Sequence, residues 1–176
     1  MPLNQIKTYP ELLELAHLEL LPRKESLKGI FRRDIENNSN FNFQTKTIRP
    51  IKKEGQVSMD ILFNHLITRE DRDEKGKKIG SRSFEMARSQ RLHWVKFHID
   101  KRKISNIDIF SYEDRIEKRG DVIRTYIYDM NEEYVVILEP QRSGLDYYLI
   151  TAYHLNEQGG KKQIENKQKK KLDEVY

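Results

Sequence analysis

The feature that most constrains the fold is a run of three strand-like segments in the last third of the chain. Residues 121–129 alternate between two sets of side chains, residues 134–139 are almost entirely apolar, and residues 147–155 alternate again. Short turns at 130–133 and 140–146 separate these segments. Because strands joined by short turns pair with their neighbours in antiparallel fashion, the pattern predicts a β-meander.

Helix and strand patterns surround this meander. The predicted helices are residues 10–21, bounded by Pro10 and Pro22, 25–38, 57–68 with Ser58 as N-cap, 83–100 with Ser83 as N-cap, and a lysine-rich tail from 161. The predicted strands are 41–47, closed by Pro50, and 103–110. Residues 69–82 are nearly all charged and predict a mobile loop. His65, beside Ile61 in the helix 57–68, is expected to be structural.

The charge balance favours partners that carry negative charge. The 176 residues include 33 lysines and arginines against 28 aspartates and glutamates, which gives a net charge of +5. The absence of cysteine excludes disulfides, thiolate metal sites and a catalytic thiol. No signal peptide or membrane span is evident, so we expect a cytoplasmic protein without a membrane partner. A protein delivered into another cell by a specialised apparatus would have the same features.

Two arginines and a histidine occupy an unusual position in the predicted helix 83–100. At about 100° per residue, Arg88, Arg91 and His98 fall on the same arc as apolar residues such as Trp94 and Ile99. A buried guanidinium keeps its charge and needs a carboxylate or a bound anion, so the trio predicts an anion site. The structural alternative is equally open, since arginine stems lie along apolar surfaces and such a histidine is often a core residue.

One face of the predicted meander combines aromatic rings with arginine. The residues expected to face the helices are Ile123, Ile127, Val135, Ile137, Ile150 and Ala152. The opposite face then presents Arg124, Tyr126, Tyr128, Tyr134, Tyr147, Thr151 and Tyr153. Rings stack on the bases of single-stranded nucleic acid and arginine binds phosphate, so this face predicts RNA binding. Tyrosine is also a favoured strand residue, and tyrosine pairs occur in sheets that bind nothing.

Motifs for metal, nucleotide or serine chemistry are missing from the sequence. It has no HExxH pair, no GxxxxGK[ST] or GxGxxG phosphate loop and no GxSxG motif. We therefore expect no metal and no cofactor. Histidine, tyrosine and arginine remain, and they suffice for metal-free RNA cleavage. A base takes the ribose 2′-OH proton, arginines hold the phosphorane, and an acid protonates the leaving 5′ oxygen.

Three segments of the chain resemble a known group of nucleases. They are RSFEMARSQRLHWVKFHI, IRTYIYDMNEEYVVILEP and DYYLITAYHL, within residues 82–155. Their order resembles that of the phage-associated nucleases of the barnase, EndoU, colicin and RelE-like (BECR) superfamily, which are toxin-like, metal-independent ribonucleases of phages and mobile elements. The resemblance implies helices followed by a four-stranded antiparallel sheet. It also implies a basic residue or histidine on the helix and a hydroxyl residue late in the sheet.

The resemblance assigns candidate roles by position. It implies a helix contribution from Arg88, Arg91 or His98, a strand contribution from Arg124 and Tyr126, and a late hydroxyl from Thr151. His98 is then the expected base or acid, and the three arginines are expected to bind phosphate. Tyr126 and Tyr153 are expected to stack on bases or donate protons, and Thr151 to orient the scissile group. Tyr128, Tyr147 and His154 complete the expected substrate-binding set.

The predicted protein is an α+β fold in which N-terminal helices pack on a four-stranded antiparallel sheet and a basic helix follows. Residues 1–56 are expected to form an extension, 57–160 the nuclease-like domain and 161–176 the basic tail. The expected function is RNA cleavage to a 2′,3′-cyclic phosphate, with an acidic antitoxin or immunity protein as a further partner. Two alternatives stay open. One is a noncatalytic module that binds RNA or protein; the other is an interaction protein whose arginines pair with carboxylates such as Glu139.

Overall fold

The computed structural model describes residues 3–100 and 105–176. Its helices are a 3-10 turn at Leu3–Ile6, α1 (Leu20–Phe31) with a π-helical turn at Arg32–Glu36, α2 (Ser58–Ile67), α3 (Met86–Ser89), α4 (Trp94–Asp100) and α5 (Gly160–Lys169). Its strands are β1 (Asn42–Phe43), β2 (Lys46–Pro50), β3 (Thr68–Arg72), β4 (Lys78–Phe84), β5 (Ile107–Ile116), β6 (Gly120–Asp129), β7 (Tyr134–Pro140) and β8 (Asp146–His154). None of the described helices is long and apolar enough to cross a membrane.

A curled, mixed sheet in the order β1-β2-β8-β7-β6-β5 forms a half-barrel within the described residues. Strands β5 to β8 are antiparallel neighbours, which confirms the predicted meander. The apolar run of β7 lies between β6 and β8 and is buried along almost its whole length. A strand buried on both faces needs apolar residues at successive positions, which is why this segment lacks alternation.

The predicted four-stranded antiparallel sheet is wrong, because β1 and β2 extend the sheet to six strands and add a parallel pair. Gln44 and Thr45 have φ angles of 48° and 67°, a left-handed turn that splits the predicted strand 41–47 into a hairpin. Strand β2 then runs parallel to β8, with Pro50 opposite Leu149. These strands are far apart in the chain, so no local pattern reveals their pairing.

Two predicted helices are wrong in extent. Residues 10–19 contain no helix, and α1 begins at Leu20 with Pro22 in its first turn, where no backbone N–H is needed. The continuous helix predicted over 83–100 is divided, because Ser83 belongs to β4 and a turn separates α3 from α4. The helix predicted at 57–68 is confirmed as α2, with Val57 at the N-cap position.

The loop predicted at residues 69–82 is wrong, because β3 and β4 form a two-stranded hairpin there. Glu70 lies opposite Arg82, and the Glu70 carboxylate lies 2.9 Å from Nζ of Lys78. Charged cross-strand partners thus take the place of the apolar pattern that usually indicates strands. Of the strand predicted at 103–110, residues 103 and 104 lie outside the described part of the chain, and β5 begins at Ile107.

Both faces of the sheet are covered, so the predicted open aromatic face is wrong. Tyr134 and Tyr147 pack in the main core on the helix side, whereas Tyr126 and Tyr128 pack on the other side, in the cluster that includes Ile164 of α5. All four side chains are at most 1% exposed. The division follows from strand register. Tyr128 lies opposite Val135, so these two side chains are on the same face of the sheet. Tyr134 precedes Val135 in β7 and therefore points to the other face.

Candidate functional site

A cleft of about 450 Å³ opens beside the β3–β4 hairpin and the end of β8. Helix α2 contributes His65, α3 contributes Arg88, and β8 contributes Thr151, Tyr153 and His154. The structure therefore brings four of the predicted site residues together with His65, which the sequence pattern had assigned a structural role. Their functional roles remain predictions.

A β-bulge in β8 produces this arrangement. Thr151 pairs with Ile137 and Leu149 pairs with Leu138, so Ile150 has no register partner in β7. The extra residue reverses the alternation along β8. Tyr147 and Leu149 lie on the helix side, whereas Tyr153 lies on the side of α5. Bulges are common beside functional sites because they redirect side chains in this way.

Positive side chains outnumber negative ones around the cleft. Among the described residues that line it, the arginines and lysines are Arg69, Arg72, Lys78, Arg82 and Arg88, and the glutamates are Glu70, Glu85 and Glu157. Each glutamate forms one ion pair, to Lys78, Arg88 and Arg69 respectively. The guanidinium groups of Arg72 and Arg82 instead donate to the backbone oxygens of Gly76 and Thr68. Neither of these two guanidinium groups forms an ion pair in the described structure, so both charges can attract an anion.

Arg88 connects the hairpin to the body and also faces the cleft. Its Nη1 donates to the backbone oxygens of His65 and Thr68, each at 2.8 Å. Its Nε lies 3.4 Å from the Glu85 carboxylate, and its side chain is only 12% exposed. Burial lowers the pKa of Arg88, and the Glu85 charge acts in the opposite direction. A partly buried cation of this kind binds anions more strongly than an exposed one, because less water screens it.

The two cleft histidines lack hydrogen-bond partners in the described structure. Nδ1 of His154 is buried without a partner, and the ring of His65 makes no hydrogen bond. Burial lowers the pKa of His65, and the charges of Arg82 and Arg88 lower it further. Burial also lowers the pKa of His154, with a smaller contribution from Arg91. Both rings are therefore neutral near pH 7 and can accept a proton.

Tyr153 lies under the influence of two arginines. The guanidinium carbon of Arg88 is 5.4 Å from the centre of its ring, within the range of a cation–π contact. Burial raises the pKa of Tyr153, while the charges of Arg88 and Arg124 act to lower it. The hydroxyl is protonated at neutral pH and is available as a donor.

His98 does not reach the cleft. Its Nδ1 lies 2.7 Å from the Trp94 carbonyl oxygen, its Nε2 lies 2.9 Å from Oδ2 of Asp129, and the side chain is fully buried. Tyr9 and Asn106 also donate to the Asp129 carboxylate, at 2.6 and 3.0 Å. His98 and Asp129 form a closed core network that links the N-terminal segment to the sheet.

Arg124 and Tyr126 also lie outside the cleft. Nε of Arg124 is 3.5 Å from the Glu139 carboxylate, which Arg119 also binds at 2.6 and 3.1 Å. Glu139 is the carboxylate named in the alternative in which the arginines pair with acidic residues, and Arg124 forms this ion pair. The hydroxyl of Tyr126 donates to Asp114, which also binds Lys167 of α5. An arginine and a tyrosine predicted to face RNA are therefore engaged with protein carboxylates.

The remaining predicted site residues, Arg91, Tyr128 and Tyr147, do not line the cleft. Arg91 stacks over Trp94 at 5.1 Å and donates to the Ala87 carbonyl oxygen, away from the residues that line the cleft. Tyr128 is buried under α5 with its hydroxyl unbonded. The Tyr147 hydroxyl donates to the backbone oxygen of Tyr176 at 2.7 Å.

Sequence reasoning missed His65 and the basic hairpin for identifiable reasons. His65 sits one helical turn after Ile61, which suggested a structural residue, and only the fold shows that its ring borders a cavity. The hairpin could have been found from the turn around Gly76, because the acidic residues of the segment before it can pair with the basic residues of the segment after it.

Comparisons with known proteins leave the chain without an assigned family. No protein-family model, curated protein or solved structure matches it. In residues 3–100 and 105–176, no group of three or more histidine, aspartate or glutamate side chains is arranged to hold a metal ion. The proposal below therefore depends on the geometry of the cleft alone.

Proposed function

We propose that the protein binds RNA in this cleft and cleaves it by metal-independent acid–base chemistry. The observation that carries the proposal is the meeting of two histidines without hydrogen-bond partners, His65 and His154, with Arg88 and the basic hairpin around one cavity. Histidine rings that bond to no other protein group and border a basic cleft are available for proton transfer to or from a bound ligand. The excess of positive charge selects an anionic ligand.

The chemistry assigns one proton transfer to each histidine. His65 takes the proton of the ribose 2′-OH, and the 2′ oxygen forms a bond to phosphorus. His154, in its protonated form, gives a proton to the 5′ oxygen as the bond between phosphorus and that oxygen breaks. Arg88 and Arg82 stabilise the charge on the phosphorane, and the Thr151 hydroxyl donates to a nonbridging oxygen. The products are a 2′,3′-cyclic phosphate and a free 5′-hydroxyl.

This division of roles predicts an acidic pH optimum. The base must be neutral and the acid protonated, so activity is highest between the two histidine pKa values. Burial lowers both pKa values below the ordinary value of 6.5. The profile of kcat/KM against pH should therefore have its maximum below pH 6.5.

The direct test is incubation of the full chain with RNA in EDTA, followed by analysis of the product ends. We expect fragments with 2′,3′-cyclic phosphate and 5′-hydroxyl ends. The matched control is DNA of the same sequence, which lacks the 2′-OH and should stay intact. Cleavage of the DNA, or RNA products with 3′-hydroxyl ends, would contradict the mechanism.

One observation favours a second function, a noncatalytic RNA-binding module. The Arg88 guanidinium already donates to the backbone oxygens of His65 and Thr68. These hydrogen bonds attach α3 to the start of the hairpin, which is a structural role that needs no substrate. In that case RNA binds with strong salt dependence and remains intact over the pH range 4 to 8.

A further inference from the structure

A second, smaller cavity of about 190 Å³ adjoins the cleft. Three residues, Ile51, His65 and Ile150, line both cavities. The remaining walls are mostly aliphatic, from Ile61, Leu62 and Leu149, and Lys52 and Lys53 complete the lining. The small cavity is thus a largely apolar neighbour of a positively charged cleft.

The fold builds this cavity from three elements. Ile61 and Leu62 lie four and three residues before His65 in α2, so all three side chains share one helix face. The parallel pairing of Pro50 with Leu149 places Ile51, just beyond β2, near Ile150. Ile150 is the bulged residue of β8, which frees its side chain from the regular alternation.

We propose that this cavity binds the nucleobase of the nucleotide whose phosphate occupies the cleft. This inference rests on the proposed function and names a subsite of the same site. A base is flat and largely apolar on its faces, which suits aliphatic walls, while its edges form hydrogen bonds. The ring of His65 supplies a hydrogen-bonding group without an internal partner at the junction of the two cavities.

The adjacency of the two cavities, which share Ile51, His65 and Ile150, decides between a base and another apolar ligand. A base in the small cavity is covalently linked to a ribose phosphate, which the basic cleft holds through Arg82 and Arg88. Lys52 and Lys53 at the apolar cavity add positive charge on the same side. The arrangement therefore favours a nucleotide over an uncharged apolar molecule.

The position of His65 adds a consequence for specificity. Because His65 borders both cavities, the base bound there belongs to the nucleotide whose 2′-OH faces His65. That is the nucleotide on the 5′ side of the scissile phosphate. Cleavage should therefore depend on the identity of the base at this position, and little on the base that follows.

The test uses binding of 3′-AMP, 3′-UMP and ribose 5-phosphate, a sugar phosphate without a base, to the full chain, measured by calorimetry. Binding of ribose 5-phosphate reports on the cleft, and the difference between a nucleotide and ribose 5-phosphate reports on the small cavity. We expect at least one nucleotide to bind about tenfold more tightly than ribose 5-phosphate. In NMR spectra, its ring should shift the methyl signals of Ile51, Ile61 and Ile150, while those of Ile79, on the exposed hairpin, stay unchanged.

A substitution that fills the cavity sharpens the test. Ile61→Trp should remove the advantage of the nucleotide and keep the affinity for ribose 5-phosphate, whereas the matched control Ile79→Trp should change neither. Equal binding of nucleotides and ribose 5-phosphate to the wild-type chain, without shifts of the three methyl signals, would overturn the base subsite and leave the cleft intact. Failure of all three probes to bind would overturn both proposals.

Discussion

The histidine in the core, His98, and the histidines at the cleft, His65 and His154, differ in their hydrogen bonds. Around His98, both ring nitrogens lie within hydrogen-bond distance of an acceptor, and Asp129 accepts from Tyr9, Asn106 and two backbone N–H groups. Around the cleft, His65 makes no ring hydrogen bond and Nδ1 of His154 is buried without a partner. The first environment is complete without a ligand, and the second is not.

The difference separates residues that hold the fold from residues available for chemistry. A fully hydrogen-bonded buried network stabilises one arrangement and has no capacity left for a substrate. Polar groups beside a cavity that have no hydrogen-bond partner in the protein can still bind a substrate, although leaving them unpaired lowers stability. The sequence pattern correctly predicted that His98 points inward. That position alone does not indicate function, because the hydrogen-bond partners of the ring decide whether it can act on a substrate.

The largest expected effect is on RNA cleavage by variants of the cleft. His154→Ala and His65→Ala should each reduce kcat/KM by about 10²- to 10⁴-fold, the usual contribution of a general acid or base. Urea unfolding should show little change in stability for either variant. His17→Ala, a change at a histidine that does not line the cleft, is the control and should retain full activity. Activity losses below threefold in both cleft variants would show that His65 and His154 do not take part in the chemistry.

The core network should respond in the opposite manner, through stability. Asp129→Asn replaces one carboxylate oxygen by an N–H donor, which leaves buried donors without an acceptor and should lower the free energy of unfolding by about 1–3 kcal/mol. Asp121→Asn, in an exposed pair with Arg115, is the matched control and should cost less than about 1 kcal/mol. Equal losses in the two variants, measured by urea unfolding, would show that the network does not hold the core.

The same network predicts a loss of stability in strong acid. Burial acts to raise the pKa of Asp129, but hydrogen bonds from His98, Tyr9 and the Glu132 backbone lower it to about 2. Because the folded pKa lies below the unfolded value, this stabilisation is present above about pH 4 and is lost as the pH falls towards 2. The Asp129→Asn variant should lack this contribution, which a comparison of unfolding free energies at pH 5 and pH 2.5 would measure.

A third histidine, His93, sharpens the comparison because it is buried and does not line the cleft. Burial lowers the pKa of His93 to about 4, and a backbone contact with Glu11 acts to a smaller extent in the opposite direction. Its contribution to stability is therefore present above pH 6.5 and is lost as the pH falls from 6.5 to 4, by about 1.4 kcal/mol per pH unit. His93→Gln should remove this slope without affecting RNA cleavage. An unchanged slope in the variant would assign the acid sensitivity to another group.

The smallest effect is expected at Arg124. Its partner Glu139 keeps two hydrogen bonds from Arg119 when Arg124 is truncated. Arg124→Ala should therefore cost less than about 1 kcal/mol of stability, and cleavage should be nearly unchanged. A loss of turnover as large as that of His154→Ala would place Arg124 back among the substrate-binding residues.

Local patterns predicted the parts of the fold that depend on neighbouring residues. The meander and α2 follow from periodicity and short turns. The parallel pairing of β2 with β8 was not predictable in this way, since it joins distant segments. Helix α5 buries a single apolar residue, Ile164, so its sequence suggested a solvated tail although it covers the aromatic face.

Part of the candidate site was also predictable, because some of its residues are neighbours in the chain. Thr151, Tyr153 and His154 are adjacent in one strand, and the structure brings them to the cleft together with Arg88. The bulge at Ile150 decides which side of the sheet they face, and strict alternation cannot reveal a bulge. His65 needed the fold, because its importance depends on a cavity formed by Ile51, by residues 65–88 and by the distant residues 150–163.

The most direct test of the central claim is an NMR titration of the full chain with a 2′-deoxy oligonucleotide, which binds but lacks the attacking hydroxyl. The account predicts that the ring signals of His65 and His154 shift on binding, whereas those of His98 and His93 stay in place. Shifts confined to His98 and its neighbours, or no shift at His65 and His154 when the oligonucleotide binds, would contradict the assignment of the cleft as the RNA site.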